Sequence, residues 1–189
     1  MNARTKVLLT SLLALSAALI LVTGCSDTGI TSPEVSGQGI AASEIQFIQW
    51  DKKVTESLNT LEKTSVSEKT FTKAGGVLAT ADMHGCKLTV PANAFLEDER
   101  LIQACLTITD DNFAGIEFLP SQQFTKPVTI ELPFAAIKVD DQNEYNEIRA
   151  FWYDEASGLW VEIPDVEVDS EKEIVTAEID HFTRFGWGF

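Results

Sequence analysis

The sequence predicts an all-β fold: an antiparallel β-sandwich of about nine short strands, preceded by one amphipathic helix and a flexible tether. Two observations carry that reading. Apolar and polar residues alternate in short runs, as in Val128, Ile130 and Leu132 against Thr129 and Glu131, or Val175, Ala177 and Ile179 against Thr176 and Glu178. Such runs make strands with one wet face. Turn residues punctuate the runs, as Met83-His84-Gly85 does between residues 77–82 and 86–91. At 189 residues the chain can bury one sizeable core and is too short for two large domains.

The composition removes several function classes. Fourteen Lys and Arg against 29 Asp and Glu give a net charge of −15. So acidic a surface repels phosphate backbones and anionic headgroups, which argues against nucleic acid as a partner and against polybasic membrane docking. Two His and three Cys leave few ingredients for a zinc centre or a His-based catalytic set. There is no phosphate-binding glycine loop, no H-E-x-x-H, no G-x-S-x-G and no C-x-x-C. No cofactor and no metal site is expected.

Taken in order, the N-terminus comes first. Arg4 and Lys6 lie in residues 1–6, and residues 7–22 are apolar apart from Ser and Thr. This is a positive n-region followed by an h-region too short for a comfortable membrane span. Val22-Thr23-Gly24-Cys25 follows, and here the chain resembles the lipobox of bacterial lipoproteins. The resemblance implies that signal peptidase II removes residues 1–24 and that Cys25 carries about three acyl chains, well beyond the one-chain affinity that leaves proteins reversibly bound. Removing Arg4 and Lys6 leaves 12 cations against 29 acids, a net charge of −17. Ser26 stands where an Asp would resemble an inner-membrane retention signal, so the expected location is the outer membrane. An ordinary secretory signal and an uncleaved anchor are the alternatives.

Residues 26–42 are rich in Gly, Ser, Thr and Pro and read as the tether, because they carry too little apolar surface to order themselves. Ser43-Glu44-Ile45-Gln46 fits a capping box, and Phe47, Trp50, Val54, Leu58 and Leu61 fall on one helical stripe. The spacing predicts a helix over 44–63 that packs on the β domain, within a helix-and-connector segment of 43–68; an edge strand over 44–50 is the alternative. The β domain then spans 69–189. Its strands are expected at 77–82, 86–91, 104–110, 116–119, 128–133, 147–154, 159–164, 173–180 and 183–189, with a hairpin loop at Asp154-Glu155-Ala156-Ser157-Gly158.

Motifs within residues 71–189 support a further resemblance. They are Lys73-Ala74-Gly75-Gly76-Val77, Leu88-Thr89-Val90-Pro91-Ala92-Asn93-Ala94-Phe95, Phe118-Leu119-Pro120-Ser121 with Phe124-Thr125-Lys126-Pro127-Val128, Trp152-Tyr153-Asp154 with Gly158-Leu159-Trp160, and His181-Phe182-Thr183. In this order and spacing they resemble the ZU-five domain, a module of ankyrins, netrin receptors and a death-domain protein, with similar domains in bacterial surface proteins. The resemblance implies a β-sandwich with a binding role. Asn93 stands where the family usually has Gly, and Asn tolerates the left-handed conformation better than other non-Gly residues. Thr183 stands where Ser is commoner.

The resemblance also implies one reaction. Some family members cut themselves within His-Phe-Ser. Carried over, the Thr183 hydroxyl would attack the Phe182 carbonyl carbon, His181 would accept the proton, and water would finish the resulting ester. The plainer reading, which the residues favour, has His181 and Thr183 satisfying local hydrogen bonds while Phe182 fills the core.

Cys86 and Cys105 are the only cysteines besides Cys25, in a compartment that permits disulfides. Parity argues against a bridge: Cys86 shares a strand face with Leu88 and Val90, whereas Cys105 lies opposite Leu106 and Ile108. His84 beside Cys86 is too little for a metal. The acidic runs Asp110-Asp111-Asn112 and Asp140-Asp141-Gln142-Asn143-Glu144 lack the ligand spacing of a calcium loop and read as solvated. Phe185, Trp187 and Phe189 alternate as in the closing strand of a membrane barrel, but without the outward apolar band a barrel needs. The expected function is a non-enzymatic interaction module, anchored to the membrane through the acyl chains on Cys25 and binding an envelope or extracellular protein or glycan. Self-processing at Phe182–Thr183 is the first alternative. The second is carbohydrate binding through Trp50, Trp152, Trp160 or Trp187, residues that otherwise pack.

Overall fold

Two long strands organise the molecule. The computed structural model describes residues 38–58, 64–108 and 113–189. In chain order its strands are β1 (Gln49–Trp50), β2 (Thr64–Thr72), β3 (Gly76–Leu78), β4 (Lys87–Val90), β5 (Glu99–Ile108), β6 (Ala114–Pro133), β7 (Ile137–Lys138), β8 (Arg149–Asp154), β9 (Leu159–Glu162), β10 (Glu167–Asp169) and β11 (Ile174–Gly188), with one α-helix, α1 (Lys52–Leu58). Every pairing between them is antiparallel. The fold class is therefore all-β and antiparallel.

β6 and β11 pair along almost their whole lengths and run through both halves of the sheet. Their Gly115–Gly186 end continues through β5 to β2 on one side and through β8 to β9 on the other. Their Pro133–Ile174 end is flanked by β4 with β3, and by β10. The inward side chains of the first half, Ile102, Leu106, Ile116, Phe118 and Trp187 among them, and of the second, Leu88, Ile130, Leu132, Val175 and Ala177 among them, form one buried cluster. One bent sheet thus packs against itself, an arrangement consistent with a sandwich.

The bend lies where the ladder slips. Two steps along β11, from Ile179 to His181 and from Phe182 to Arg184, oppose five on β6, from Val128 to Gln123 and from Gln122 to Glu117. Extra residues on one strand bend it and change which face later residues present. On β11 the inward positions run Val175, Ala177, Ile179, then Phe182, Phe185 and Trp187, so parity changes twice. The strands expected at 116–119 and 128–133 are accordingly parts of one strand, as are those at 173–180 and 183–189.

The helix expected over 44–63 is present as α1, but its start is corrected, and residues 59–63 lie outside the described residues. Ala42–Glu44 is a 3-10 turn, Gln49–Trp50 is a strand, and α1 begins at Lys52. Glu44 accepts a hydrogen bond from the Ala41 N–H at 3.1 Å, so the capping interaction sits two residues before the expected box. The cause is tertiary pairing. Ile48 N–H donates to the Trp187 carbonyl at 2.8 Å, Ala114 N–H to Ile48 at 2.7 Å, and Phe189 N–H to Gln46 at 3.1 Å. A segment whose backbone is held by the sheet cannot coil. The helix starts only after Asp51, whose carboxylate accepts from the Lys53 N–H at 2.9 Å, and it buries Val54 and Leu58. The end of the expected connector, residues 64–68, belongs to β2 (Thr64–Thr72).

Three of the motif segments meet. Asn93 takes φ +58, and its N–H donates to the Lys73 carbonyl at 2.8 Å. Thr125 N–H donates to Ala94 at 2.9 Å, and Lys126 Nζ to the Ala92 carbonyl at 2.8 Å. Gly75 turns the chain at φ +71, and a Cβ there would lie 2.3 Å from the Val90 carbonyl oxygen. The hairpin loop at Asp154–Gly158 forms as expected, with Gly158 N–H donating to Asp154 at 2.8 Å. The signal segment 1–24 with Val22, Thr23, Gly24 and Cys25, the tether up to residue 37, Leu61 and the Asp110-Asp111-Asn112 run lie outside the described residues.

Candidate functional site

The slipped part of β11 places residues 180–183, and each does something different. Phe182 is fully buried between Phe118, at 5.1 Å between ring centroids, and Phe124, at 4.5 Å. The Phe182 carbonyl accepts from Ser121 Oγ at 2.8 Å. Thr183, also buried, donates its hydroxyl to the Tyr153 carbonyl at 3.0 Å. His181 is turned the other way, with Nδ1 2.6 Å from Asp180 Oδ1. Its Nε2 is buried and has no hydrogen-bond partner. His181 and Thr183 are therefore only two residues apart in sequence but not joined as base and nucleophile.

His181 instead faces a cavity. Its ring meets that of Trp152 edge-to-face, at 4.5 Å between centroids and 85° between planes. Together they wall a space of about 230 Å³ floored by the buried side chains of Ile163, Ile179 and Phe185. The exposed residues Pro127, Glu178 and Asp180 complete its lining. β8 supplies Trp152 because Trp152 pairs with Phe185 and so shares the inward face of the sheet. β11 supplies His181 because the slip after Ile179 carries the strand past the regular ladder.

The local cations are used elsewhere. Lys126, next to Pro127, reaches the Ala92 carbonyl, and the Arg184 guanidinium lies 5.2 Å from the centre of the Tyr153 ring. The cavity thus combines an apolar floor, an aromatic wall, one imidazole nitrogen without a partner and two exposed acidic residues. A larger depression of about 430 Å³, beside Asn146, Glu147 and Asp165, is polar and open, and its Arg149 is already paired with Glu162 at 3.6 Å.

The other expected residues are scattered. Cys86 is buried on the inner side and Cys105 is half-buried on the opposite face of its sheet; both are free thiols. Burial pushes the Cys86 thiol up to about 12. Burial first, and Glu117 second, raise that of Cys105. His84 Nε2 is hydrogen-bonded with Ser57 Oγ at 3.0 Å and belongs to a turn, with φ +51. Among the described residues no three His, Cys, Asp or Glu side chains are grouped to hold a metal.

Of the four tryptophans, Trp50, Trp160 and Trp187 are buried and only Trp152 is half-exposed. No protein-family model matches this chain, and no curated protein is significantly similar to it.

The sequence offers His181 as a base or as a locally hydrogen-bonded residue, and Trp152 as a motif residue and one of four tryptophans, and does not bring the two together. The available signal was spacing. Ile179, Phe182 and Phe185 lie three apart, which a regular strand cannot place on one face, and that irregularity marks where β11 opens a cavity.

Proposed function

We propose that this protein is exported, acylated on Cys25 and held at the outer membrane, where its β domain acts as a non-enzymatic binding module for an envelope or extracellular partner. The anchor rests on the n-region, the h-region and Val22-Thr23-Gly24-Cys25. The binding role rests on one observation: a cavity is walled by Trp152 and by His181, whose buried Nε2 has no partner where buried polar groups as a rule have one; Arg100 Nε, Gln122 Nε2 and Trp187 Nε1 are also unpartnered, but none of these residues lines this cavity. The relation to the ZU-five domain belongs to the same proposal. It is supported by the left-handed Asn93 and by the hydrogen bonds joining the Lys73, Asn93 and Thr125 segments.

Self-processing at Phe182–Thr183 is the second reading. The observation in its favour is the hydrogen bond from Ser121 to the Phe182 carbonyl, which polarises the carbonyl that Thr183 would attack. The Thr183 hydroxyl, committed to Tyr153, counts against it.

One measurement tests the anchor and the second reading together: the intact mass of the full chain extracted from bacterial membranes. The proposal expects loss of residues 1–24, a mass increment from acyl chains, and no further cut. A Cys25→Ala chain should lack the increment and keep residues 1–24. An unacylated wild-type chain sinks the anchor. Two fragments summing to the processed mass plus one water, parted after Phe182 and absent in Thr183→Ala, make the protein self-processing.

A further inference from the structure

We propose that the Trp152–His181 cavity binds a basic side chain, lysine or arginine, presented by a protein partner. The assignment rests on reading the domain as a binding module and names what the module recognises. Volume comes first. About 230 Å³ is below the usual range of pockets for drug-sized ligands and suits one long side chain inserted from a surface.

Chemistry comes second. When Nδ1–H is donated to Asp180, Nε2 is an acceptor in the cavity wall, closed to solvent and without a partner, and is answered only by an N–H or O–H donor. The lining includes Glu178 and Asp180, both exposed. Neither Lys126 nor Arg184 answers them, since Lys126 is bonded to Ala92 and Arg184 lies over Tyr153. Trp152 and Phe185 add aromatic rings, which attract cations by their quadrupole, and Ile163 and Ile179 suit an alkyl stem. A neutral or anionic group would satisfy the floor and leave the two acidic residues repelled or unanswered. A net charge of −15 on the whole chain steers in the same direction.

Water is the competing occupant, since a cavity of this size holds several molecules. A cation differs from water in being charge-selective, and that difference is measurable.

The test uses the full chain in detergent at about pH 8, above the ordinary imidazole range. The Trp152 indole N–H and the His181 ring nitrogens are followed by ¹⁵N-resolved NMR. The probes are acetyl-Gly-Lys-Gly-amide, its arginine counterpart, and acetyl-Gly-norleucine-Gly-amide as the uncharged isostere. The proposal expects saturable shifts of Trp152 and His181 with the two basic peptides. Binding of the norleucine peptide should be weaker by about tenfold or more, and added salt should weaken the basic peptides alone. Glu178→Gln and Asp180→Asn, conservative changes at exposed residues, should each weaken binding about three- to tenfold while the amide spectrum keeps its dispersion.

Equal binding of the norleucine peptide overturns the assignment to a cation and leaves the binding module standing. Shifts with cellobiose but not with the peptides make the cavity a sugar site and overturn it as well. No shift with any probe overturns the assignment and the cavity's part in the binding role together.

Discussion

The two faces of β8 carry neighbouring aromatic residues and treat them in opposite ways. On the outer face, Phe151 and Tyr153 join Phe113 and Trp160 under a lid formed by Ile40, Ile45 and Phe47. Phe47 stacks on Phe113 at 4.5 Å and meets Trp160 edge-on at 4.9 Å. The lid is fastened at both ends: Ile40 and Trp160 exchange backbone hydrogen bonds of 2.7 and 2.9 Å, and Phe47 bridges to Gly188. On the inner face, Trp152 belongs to the main core at its margin and ends in the cavity. Nothing among the described residues closes it. Aromatic surface is equally present on both faces, so composition does not separate structure from site. What separates them is whether the chain supplies its own cover.

That contrast predicts different consequences for like substitutions. Trp160, 3 % exposed, contributes packing that nothing else replaces, so Trp160→Ala should cost about 3–5 kcal/mol in chemical denaturation. Trp152→Ala should cost less, about 1–2 kcal/mol, because the residue is only partly buried. On the proposed reading its larger effect falls on binding. Equal losses at the two positions would break the comparison and make Trp152 an ordinary core residue.

The lid can be tested without touching an aromatic ring. A Cβ on Gly188 would lie 2.8 Å from Ile45 Cγ2 and 2.9 Å from the Gln46 backbone oxygen. One contact is backbone, so relief requires the lid segment to move. Gly188→Ala should cost about 1–3 kcal/mol and speed hydrogen exchange at Ile48 and Phe189, whose N–H groups close the lid segment onto the sheet. Unchanged exchange with unchanged stability would mean that the segment is not tightly seated.

How much of this was legible follows from which forces are local. Period-two alternation at residues 128–132 and 175–179 identified strands because both neighbours of each segment are regular. Asn93 identified a left-handed turn because that preference resides in the residue itself. The lid was misread as helix because Phe47, Trp50, Val54 and Leu58 fit a helical stripe, while Ile45, Phe47, Ile48 and Trp50 equally fit a segment buried on both faces. Only the Trp187 carbonyl and the Ala114 N–H, far off in sequence, decide between them. The site was legible in its ingredients and not in its assembly. His181 was singled out, but its partner in space, Trp152, is set by a strand pairing, and its orientation by ladder slips that also involve residues 117–128.

The comparison between covered and open faces extends to the cysteines, where the expected effect is smallest because no packing is removed. Cys86 sits inside the core, and burial holds its thiol at about 12. Cys105 lies on the outer side of β5, opposite the buried Ala104 and Leu106, and is raised by partial burial and by Glu117. Alkylation needs the thiolate, so a higher thiol pKa displaces reaction to higher pH. With the folded chain and iodoacetamide, Cys105 should label first as pH rises from about 8, and Cys86 only on unfolding. The linked effect on stability has a definite sign. The unfolded Cys86 thiol ionises near the ordinary value of about 8.5 and the folded one only at about 12. Its contribution is therefore complete below the first value and is lost as pH rises toward the second. Equal labelling of both thiols in the folded chain would place Cys86 at an open surface. A disulfide found by mass before reduction would mean that the two side chains share one face, against the strand parity that separates them.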